Sequence, residues 1–185
     1  MRFTVVLADA LLLTLFFCYV LSPAAADPTA AFDVFVYGST PSGIIAAVAA
    51  ARHLKSCENG QSLADGSRVA LLSQRPHIGG VCSGGLGQTD VGSCADEVIG
   101  GLALEFFQRN AAKYYFAQPR APWNLEPHVA KAVFVEMLDE AGVKLLPFDQ
   151  VVRVAKNNVS GAIEEIEVTE GATYSARVFI DSSYE

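Results

Sequence analysis

The chain has 185 residues, and its 20 acidic and 13 basic side chains give a formal net charge of -7. This length suits one domain, and the charge argues against nucleic acid or an anionic membrane as partner, because both repel an acidic protein. The sequence has no C-x-x-C pair typical of a zinc ribbon or a dithiol centre. We therefore expect a small-molecule substrate, no nucleic-acid partner and no metal.

The N-terminus has the pattern of a secretory signal peptide. Arg2 precedes an apolar stretch over 10–21, and small residues form a cleavage site that ends at Ala26. The stretch is too short for a comfortable membrane span. We expect cleavage of residues 1–26, which leaves one domain over 27–185, without a stable membrane span, in the secretory pathway or outside the cell.

The cysteines and one sequon fit an exported glycoprotein. Cys57, Cys82 and Cys94 follow the signal segment, an odd number, so one disulfide would leave one free thiol. Cys57 lies in a polar stretch and is the favoured disulfide partner. Asn158 begins an N-x-S sequon, which predicts a glycosylated surface turn.

The first predicted elements form a strand, a glycine turn and a helix. An apolar, β-branched run over 32–37 predicts a strand, and Gly38 allows a tight reversal after it. The helix begins near Pro41, whose missing N–H is tolerated in a first turn. Gly43 lets this helix pack close to the strand.

This turn has the chemistry of an anion site. A helix N-terminus carries unpaired N–H groups and a partial positive charge, which both favour phosphate. Thr40 and Ser42 add hydroxyls, although Thr40 stands where the G-x-G-x-x-G pattern has its middle glycine. The alternative is an ordinary strand–turn–helix corner without a ligand.

The remaining pattern predicts an α/β fold with a parallel sheet and a three-stranded antiparallel meander. Six glycines over 76–92 exclude a helix or a regular strand there and indicate a loop that approaches a ligand closely. Apolar periodicity predicts helices at 101–115 and 126–141 and strands at 68–72, 143–146, 151–156, 162–169 and 174–180.

Five motifs in this order resemble the FAD-dependent oxidoreductases with a glutathione-reductase-type FAD fold. They are G-S-T-P-S-G-I at 38–44, H-I-G-G at 77–80, S-G-G-L-G-Q-T-D at 83–90, E-P-H-V-A at 126–130 and F-I-D-S-S-Y-E at 179–185. The resemblance covers 32–185 and implies a Rossmann-like FAD-binding domain, with FAD as the cofactor.

The resemblance also implies which residues bind the cofactor. The pyrophosphate would lie against 38–43 and then along the glycine-dense loop, and the adenine would meet the backbone of Val152. The implied cofactor-binding residues are Gly38, Thr40, Pro41, Ser42, Gly43, Ser73, Gly79, Gly80, Ser83, Val152 and Asp181. Ser73 stands where such families usually have an acidic residue that binds the adenosine ribose, so the affinity for FAD would fall by about 1–2 kcal/mol.

The implied reaction is hydride transfer from an organic substrate to the flavin, so the protein itself needs no nucleophile and no catalytic residue is assigned. The chain ends inside the last motif, so we expect a fragment that is incomplete at its C-terminus. Such a fragment could self-associate through the surface that its missing domain would cover. The alternatives are a non-catalytic truncated product without flavin and an NAD(P)-binding domain.

Overall fold

A six-stranded mixed sheet forms the centre of the computed structural model, which describes residues 29–57, 68–87, 89–91, 95–114 and 123–184. The predicted signal peptide and Cys94 lie outside these residues. The strands are β1 (Thr29–Tyr37), β2 (Val69–Leu72), β3 (Lys144–Leu146), β4 (Val151–Lys156), β5 (Ile163–Val168) and β6 (Thr173–Asp181), and their order in the sheet is β3-β2-β1-β6-β5-β4.

The described helices are of very different lengths. They are α1 (Pro41–Cys57), α2 (Gly80–Ser83), α3 (Ala95–Val98), α4 (Gly101–Ala112) and α5 (Pro127–Ala141). Gly142 ends α5 in the left-handed conformation, with φ of 72°. In the part of the chain that the structure describes, no helix has both the length and the apolar character needed to cross a membrane.

The order in which parallel strands are added to the sheet changes sides at β1. Strands β2 and β3 follow on one side of β1, and β6 pairs with β1 in parallel on the other side. All four residues of β2 are buried, as expected for an inner strand of a parallel sheet. A switch point therefore lies between β1 and β6, and open α/β sheets bind ligands outside the strand ends at such a point.

The last strand, β6, pairs with two neighbours, and the sequence pattern predicted only its place in the meander. β6 pairs antiparallel with β5, as a third meander strand, and runs parallel to β1 up to the pair Tyr37 and Asp181. The meander is thus continuous with the parallel sheet. This arrangement brings the end of β6 beside the end of β1, where the glycine turn lies.

Two apolar layers hold the sheet. On one side α1 and α5 bury Ile44, Val48, Phe134 and other side chains against β1 and β2. A second cluster joins Phe35 of β1 to Tyr174 of β6, with ring centroids 5.3 Å apart. A fully buried side chain of this size contributes roughly 1.5–3 kcal/mol, so the two layers fix the strand ends that carry the site.

One prediction about the glycine-dense loop is wrong. Residues 76–92 were expected to contain no helix, but Gly80–Ser83 form one helical turn, α2. Just before this turn Gly79 adopts φ of 95°, a left-handed conformation that residues other than glycine rarely adopt. Gly80 begins the turn with φ of 50°. The glycines therefore shape the entry to a helical turn, and they do not prevent one.

Candidate functional site

A groove of about 740 Å³ opens at the carboxyl ends of β1 and β2. Its volume lies within the roughly 300–1,000 Å³ that is usual for small-molecule sites. Tyr37 at the end of β1, Thr40 in the turn before α1 and Gln74 after β2 line it, and Val151 reaches the groove from the start of β4. The groove thus lies where a doubly wound sheet binds its ligand.

The charge of the groove differs from that of the whole chain. Among the described residues its lining contains no aspartate or glutamate, and it includes the cation Arg75 and the imidazole of His77, although the chain has a net charge of -7. Both oxygens of nearby Asp149 accept backbone N–H groups, from Gln150 at 2.7 Å and from Glu170 at 3.2 Å. The groove is therefore compatible with an anionic ligand.

Two glycines let three chain segments meet behind the groove. Gly38 has φ of 103°, and a side-chain carbon there would lie 2.5 Å from the carbonyl carbon of Ser182. A side-chain carbon at Gly43 would overlap the carbonyl oxygen of Gly38. Both positions need glycine so that β1, α1 and the segment after β6 can pack together.

Three hydroxyls meet at the N-terminus of α1. Thr40 Oγ1 lies 2.9 Å from Ser42 Oγ and 3.0 Å from Ser182 Oγ, and the two serine oxygens are 2.9 Å apart. Thr40 also donates to the Ser182 carbonyl at 2.9 Å and accepts the Gly43 N–H at 3.1 Å. Thr40 therefore caps α1, and the exposed Ser42 hydroxyl adds a hydrogen-bonding group at the positive end of the helix.

The end of β2 is held by hydrogen bonds within the protein. Ser73 is 2% exposed, and its Oγ lies 2.6 Å from Ser39 Oγ and donates to the Arg75 carbonyl at 2.6 Å. Gln74 donates to the Tyr37 hydroxyl at 3.0 Å, which also accepts the Val151 N–H at 3.3 Å. Ser73 thus fixes a turn that presents Arg75 to the groove.

The far side of the groove is built by α2 and the last described residues. Ser83 Oγ donates to the Ile78 carbonyl at 2.5 Å and lies 3.0 Å from His77 Nε2. Val81 donates its N–H to the Tyr184 hydroxyl at 3.3 Å, and a side-chain carbon at Gly80 would overlap that hydroxyl. Tyr184 therefore joins the end of the chain to α2.

The structure brings only some of the predicted cofactor residues to the groove surface. Thr40, Ser73 and Gly80 line it. Gly38, Gly43, Gly79 and Ser83 are buried in the packing around it, and Pro41 and Ser42 begin α1 outside the lining.

Val152 and Asp181 lie outside the lining as well. Val152 is 61% exposed beside an irregularity in the pairing of β4 with β5, and its neighbour Val151 lines the groove instead. Asp181 is exposed and accepts hydrogen bonds from the N–H and the hydroxyl of Ser183 at 2.9 and 2.7 Å.

Apart from Thr40, Ser73 and Gly80, the described lining residues were not among the predicted cofactor-binding residues; Tyr37, Arg75, Gln150 and Tyr184 are examples. Tyr184 lies within the last quoted motif, so that motif was the available signal. Among the described residues, no group of three or more His, Cys, Asp or Glu side chains could hold a metal ion.

Comparison with known proteins gives one family and a set of similar folds. A family model described as FAD dependent oxidoreductase matches residues 33–185. A comparison with curated proteins finds no match.

Three solved structures illustrate the similarity in fold. THI4 of Thermovibrio ammonificans is 17% identical with a TM-score of 0.55, and the match covers 98% of this chain and 66% of that protein. L-proline dehydrogenase from P. horikoshii is 12% identical with a TM-score of 0.53, and the match covers 82% of this chain and 52% of that protein. A mutant flavin monooxygenase from Stenotrophomonas maltophilia is 16% identical with a TM-score of 0.50, and the match covers 82% of this chain and 37% of that protein. The chain thus spans less than two thirds of each, and at these identities the likeness shows the fold alone.

Proposed function

Since the chain belongs to the FAD dependent oxidoreductase family, we propose that the groove at the ends of β1 and β2 is its FAD site. FAD is the cofactor of this family and, when bound, supplies a two-electron centre that accepts a hydride from an organic substrate. The described residues form the cofactor-binding part of such an enzyme, of the glutathione-reductase type.

One observation carries the proposal: a helix N-terminus bearing hydroxyls lies beside a groove whose lining, as far as the structure describes it, has no carboxylate. A pyrophosphate needs N–H and O–H donors and no competing anion, and this arrangement offers both conditions. Thr40, which lines the groove, would contact the phosphates, and Ser42, just outside the lining at the start of α1, would reach them through its exposed hydroxyl. Packing glycines hold these donors in place, because side chains at Gly38 and Gly43 would push the segments apart.

The two ends of the groove suit the two ends of FAD. Gln74 and Val151 lie at the end of β2 and the start of β4, where the adenosine would bind. Val81 and Leu86 are 51% and 67% exposed, and these apolar side chains offer surface to a planar ring system. The chain's own residues therefore bind and orient the cofactor, and proton transfer is assigned to none of them.

We further propose that the protein enters the secretory pathway and loses residues 1–26. The sequon at Asn158 supports this, because Asn158 is exposed in the turn between β4 and β5. The site would serve hydride transfer from an organic compound, with oxygen or another compound as the final electron acceptor.

The test is to titrate the purified chain with FAD and follow flavin absorbance and fluorescence. Ser42→Asp places a carboxylate at the helix N-terminus, where it favours the helix dipole but repels phosphate. We expect unchanged or higher thermal stability and an FAD affinity lower by about tenfold or more.

Ser42→Asn is the matched neutral control and should bind FAD nearly as wild type does. Wild-type protein that is folded and fails to bind FAD would overturn the proposal. Equal FAD binding by Ser42→Asp and wild type would show that the pyrophosphate lies elsewhere.

A further inference from the structure

The end of β2 lacks the group that normally selects an unmodified adenosine ribose. In dinucleotide sites an acidic side chain at this position accepts the ribose hydroxyl and repels a phosphate at the same place, whereas a nearby arginine accommodates a 2′-phosphate. Ser73 occupies the position here, and its buried hydroxyl is committed to Ser39 and to the Arg75 carbonyl.

Arg75 is the cation that this turn presents to the groove. Its side chain is exposed, it lines the groove, and no described carboxylate forms an ion pair with it. The backbone of Arg75 is held on both sides of its α-carbon. The Ser73 hydroxyl donates to the Arg75 carbonyl and accepts the Arg75 N–H at 3.3 Å. The guanidinium is therefore placed on a turn held by hydrogen bonds, and no side chain in the described part of the protein pairs with it.

The polar groups at the end of β2 hydrogen-bond to partners other than the Arg75 guanidinium. Gln74 is held by the Tyr37 hydroxyl, and Asp149 has both carboxylate oxygens bonded to backbone N–H groups. The residues that the structure describes add no other arginine or lysine and no acidic residue to the lining. An extra anionic group at the end of β2 would therefore meet the guanidinium of Arg75, while the charge of Asp149 is partly offset by its two backbone N–H donors.

We propose that this end of the groove binds nucleotides that carry a phosphate on the adenosine ribose, with Arg75 as the ligand of that phosphate. The inference rests on the proposed function, since it takes the groove to be an adenine-dinucleotide site. Arginine binds phosphate through paired N–H donors. Nucleotides of the 2′-phosphoadenosine class would then compete with FAD, whose ribose carries only hydroxyls.

The test compares two nucleotides of equal phosphate number by calorimetry on the full chain: 2′,5′-ADP and 5′-ADP. We expect 2′,5′-ADP to bind about tenfold more tightly, the effect of one charge-assisted phosphate contact. Arg75→Gln should abolish this preference. Lys131→Gln removes an exposed positive charge from α5, outside the groove lining, and should keep the preference.

Equal binding of the two nucleotides by wild type, or a preference that survives Arg75→Gln, would overturn the inference. An FAD titration of the same sample separates this from the proposed function. Protein that binds FAD but shows no preference for 2′,5′-ADP contradicts only the inference. Protein that binds neither FAD nor 2′,5′-ADP contradicts the proposed function and the inference with it.

Discussion

The α-carbon of Gly43 packs directly against the carbonyl oxygen of Gly38, so closely that no side-chain carbon fits between them. This contact joins the first turn of α1 to the end of β1. Because backbone atoms form both sides of it, neither can rotate away as a side chain would. The geometry of the candidate phosphate site therefore depends on this pair.

Replacing Gly43 by alanine should lower the free energy of unfolding by about 2–3 kcal/mol, because the helix must shift away from the strand. Urea denaturation of the purified protein measures the change. Ala49→Gln lies on the exposed face of the same helix and should change stability by less than about 0.5 kcal/mol. A stable Gly43→Ala protein would show that α1 can move without cost.

The carboxylate of Glu105 joins α4 to α1. Glu105 binds Arg52 through two hydrogen bonds of 2.6 and 2.8 Å and also accepts from Arg109 at 2.8 Å. The Arg52 hydrogen bonds lower the pKa of Glu105 from 4.5 to about 2, with Arg109 adding to the effect. The folded state thus binds fewer protons than the unfolded state between these values, and the stabilisation is lost as the pH falls through them.

Glu105→Gln should reduce stability at neutral pH by about 1–2 kcal/mol, since the pairs are partly exposed and screened by solvent. The difference from wild type should shrink between pH 4.5 and about pH 2, as the wild-type carboxylate becomes protonated. Denaturation curves across this range measure it. Glu136→Gln breaks the more exposed pair with Lys113 and should cost less than about 0.5 kcal/mol at any pH; equal costs at Glu105 and Glu136 would contradict the argument.

Much of the fold could be predicted from local pattern. The β-branched run before Gly38 and the alanine-rich helix after it predicted β1 and α1, and the bounds of β4 agree with the prediction over 151–156. The predicted α/β class, the oxidoreductase family and its FAD cofactor are confirmed. The glutathione-reductase subtype, secretion and the individual cofactor contacts stay predictions.

The parts that could not be predicted depend on contacts distant in sequence. Ser73 was expected to face the ribose, but its hydroxyl is held by Ser39, 34 positions away. The register shift between Val151 and Arg153 leaves Val152 outside the groove lining, and strand alternation alone does not reveal such a shift. Strand pairing likewise placed β6 beside β1, which a pattern of apolar residues does not specify.

Tyr184 should protect α2 from local opening. Its hydroxyl accepts the Val81 N–H, and its ring is 57% exposed at the groove. Tyr184→Phe removes the acceptor, so amide exchange at Val81 should become about fivefold faster, the effect of one weak hydrogen bond. Hydrogen–deuterium exchange measured by mass spectrometry tests this. Leu86→Ala changes the same groove without touching the bond, and unchanged exchange in Tyr184→Phe would contradict the assigned contact.

The two described cysteines should differ in reactivity. Cys57 is an exposed free thiol, whereas Cys82 is half-buried and burial raises its pKa, which lowers its thiolate fraction. Near neutral pH, iodoacetamide should alkylate Cys57 at least about tenfold faster than Cys82. Peptide mass spectrometry gives the rates, and denatured protein is the control in which they should converge. A Cys57 that reacts only after reduction would be disulfide-bonded, as the sequence suggested and unlike the structure.

The sequon turn should accept a glycan without loss of fold. Asn157 holds this turn, because its Oδ1 accepts the N–H groups of Val159 and Ser160 at 2.9 Å, while Asn158 is exposed. Asn158→Gln expressed in secretory cells should therefore lose the glycosidase-sensitive mass shift and keep wild-type stability. Ser160→Thr preserves the sequon and should remain glycosylated. Wild-type chain that reaches the medium without a glycan would show that this exposed turn is not modified, and chain retained in the cytoplasm would contradict the proposed secretion itself.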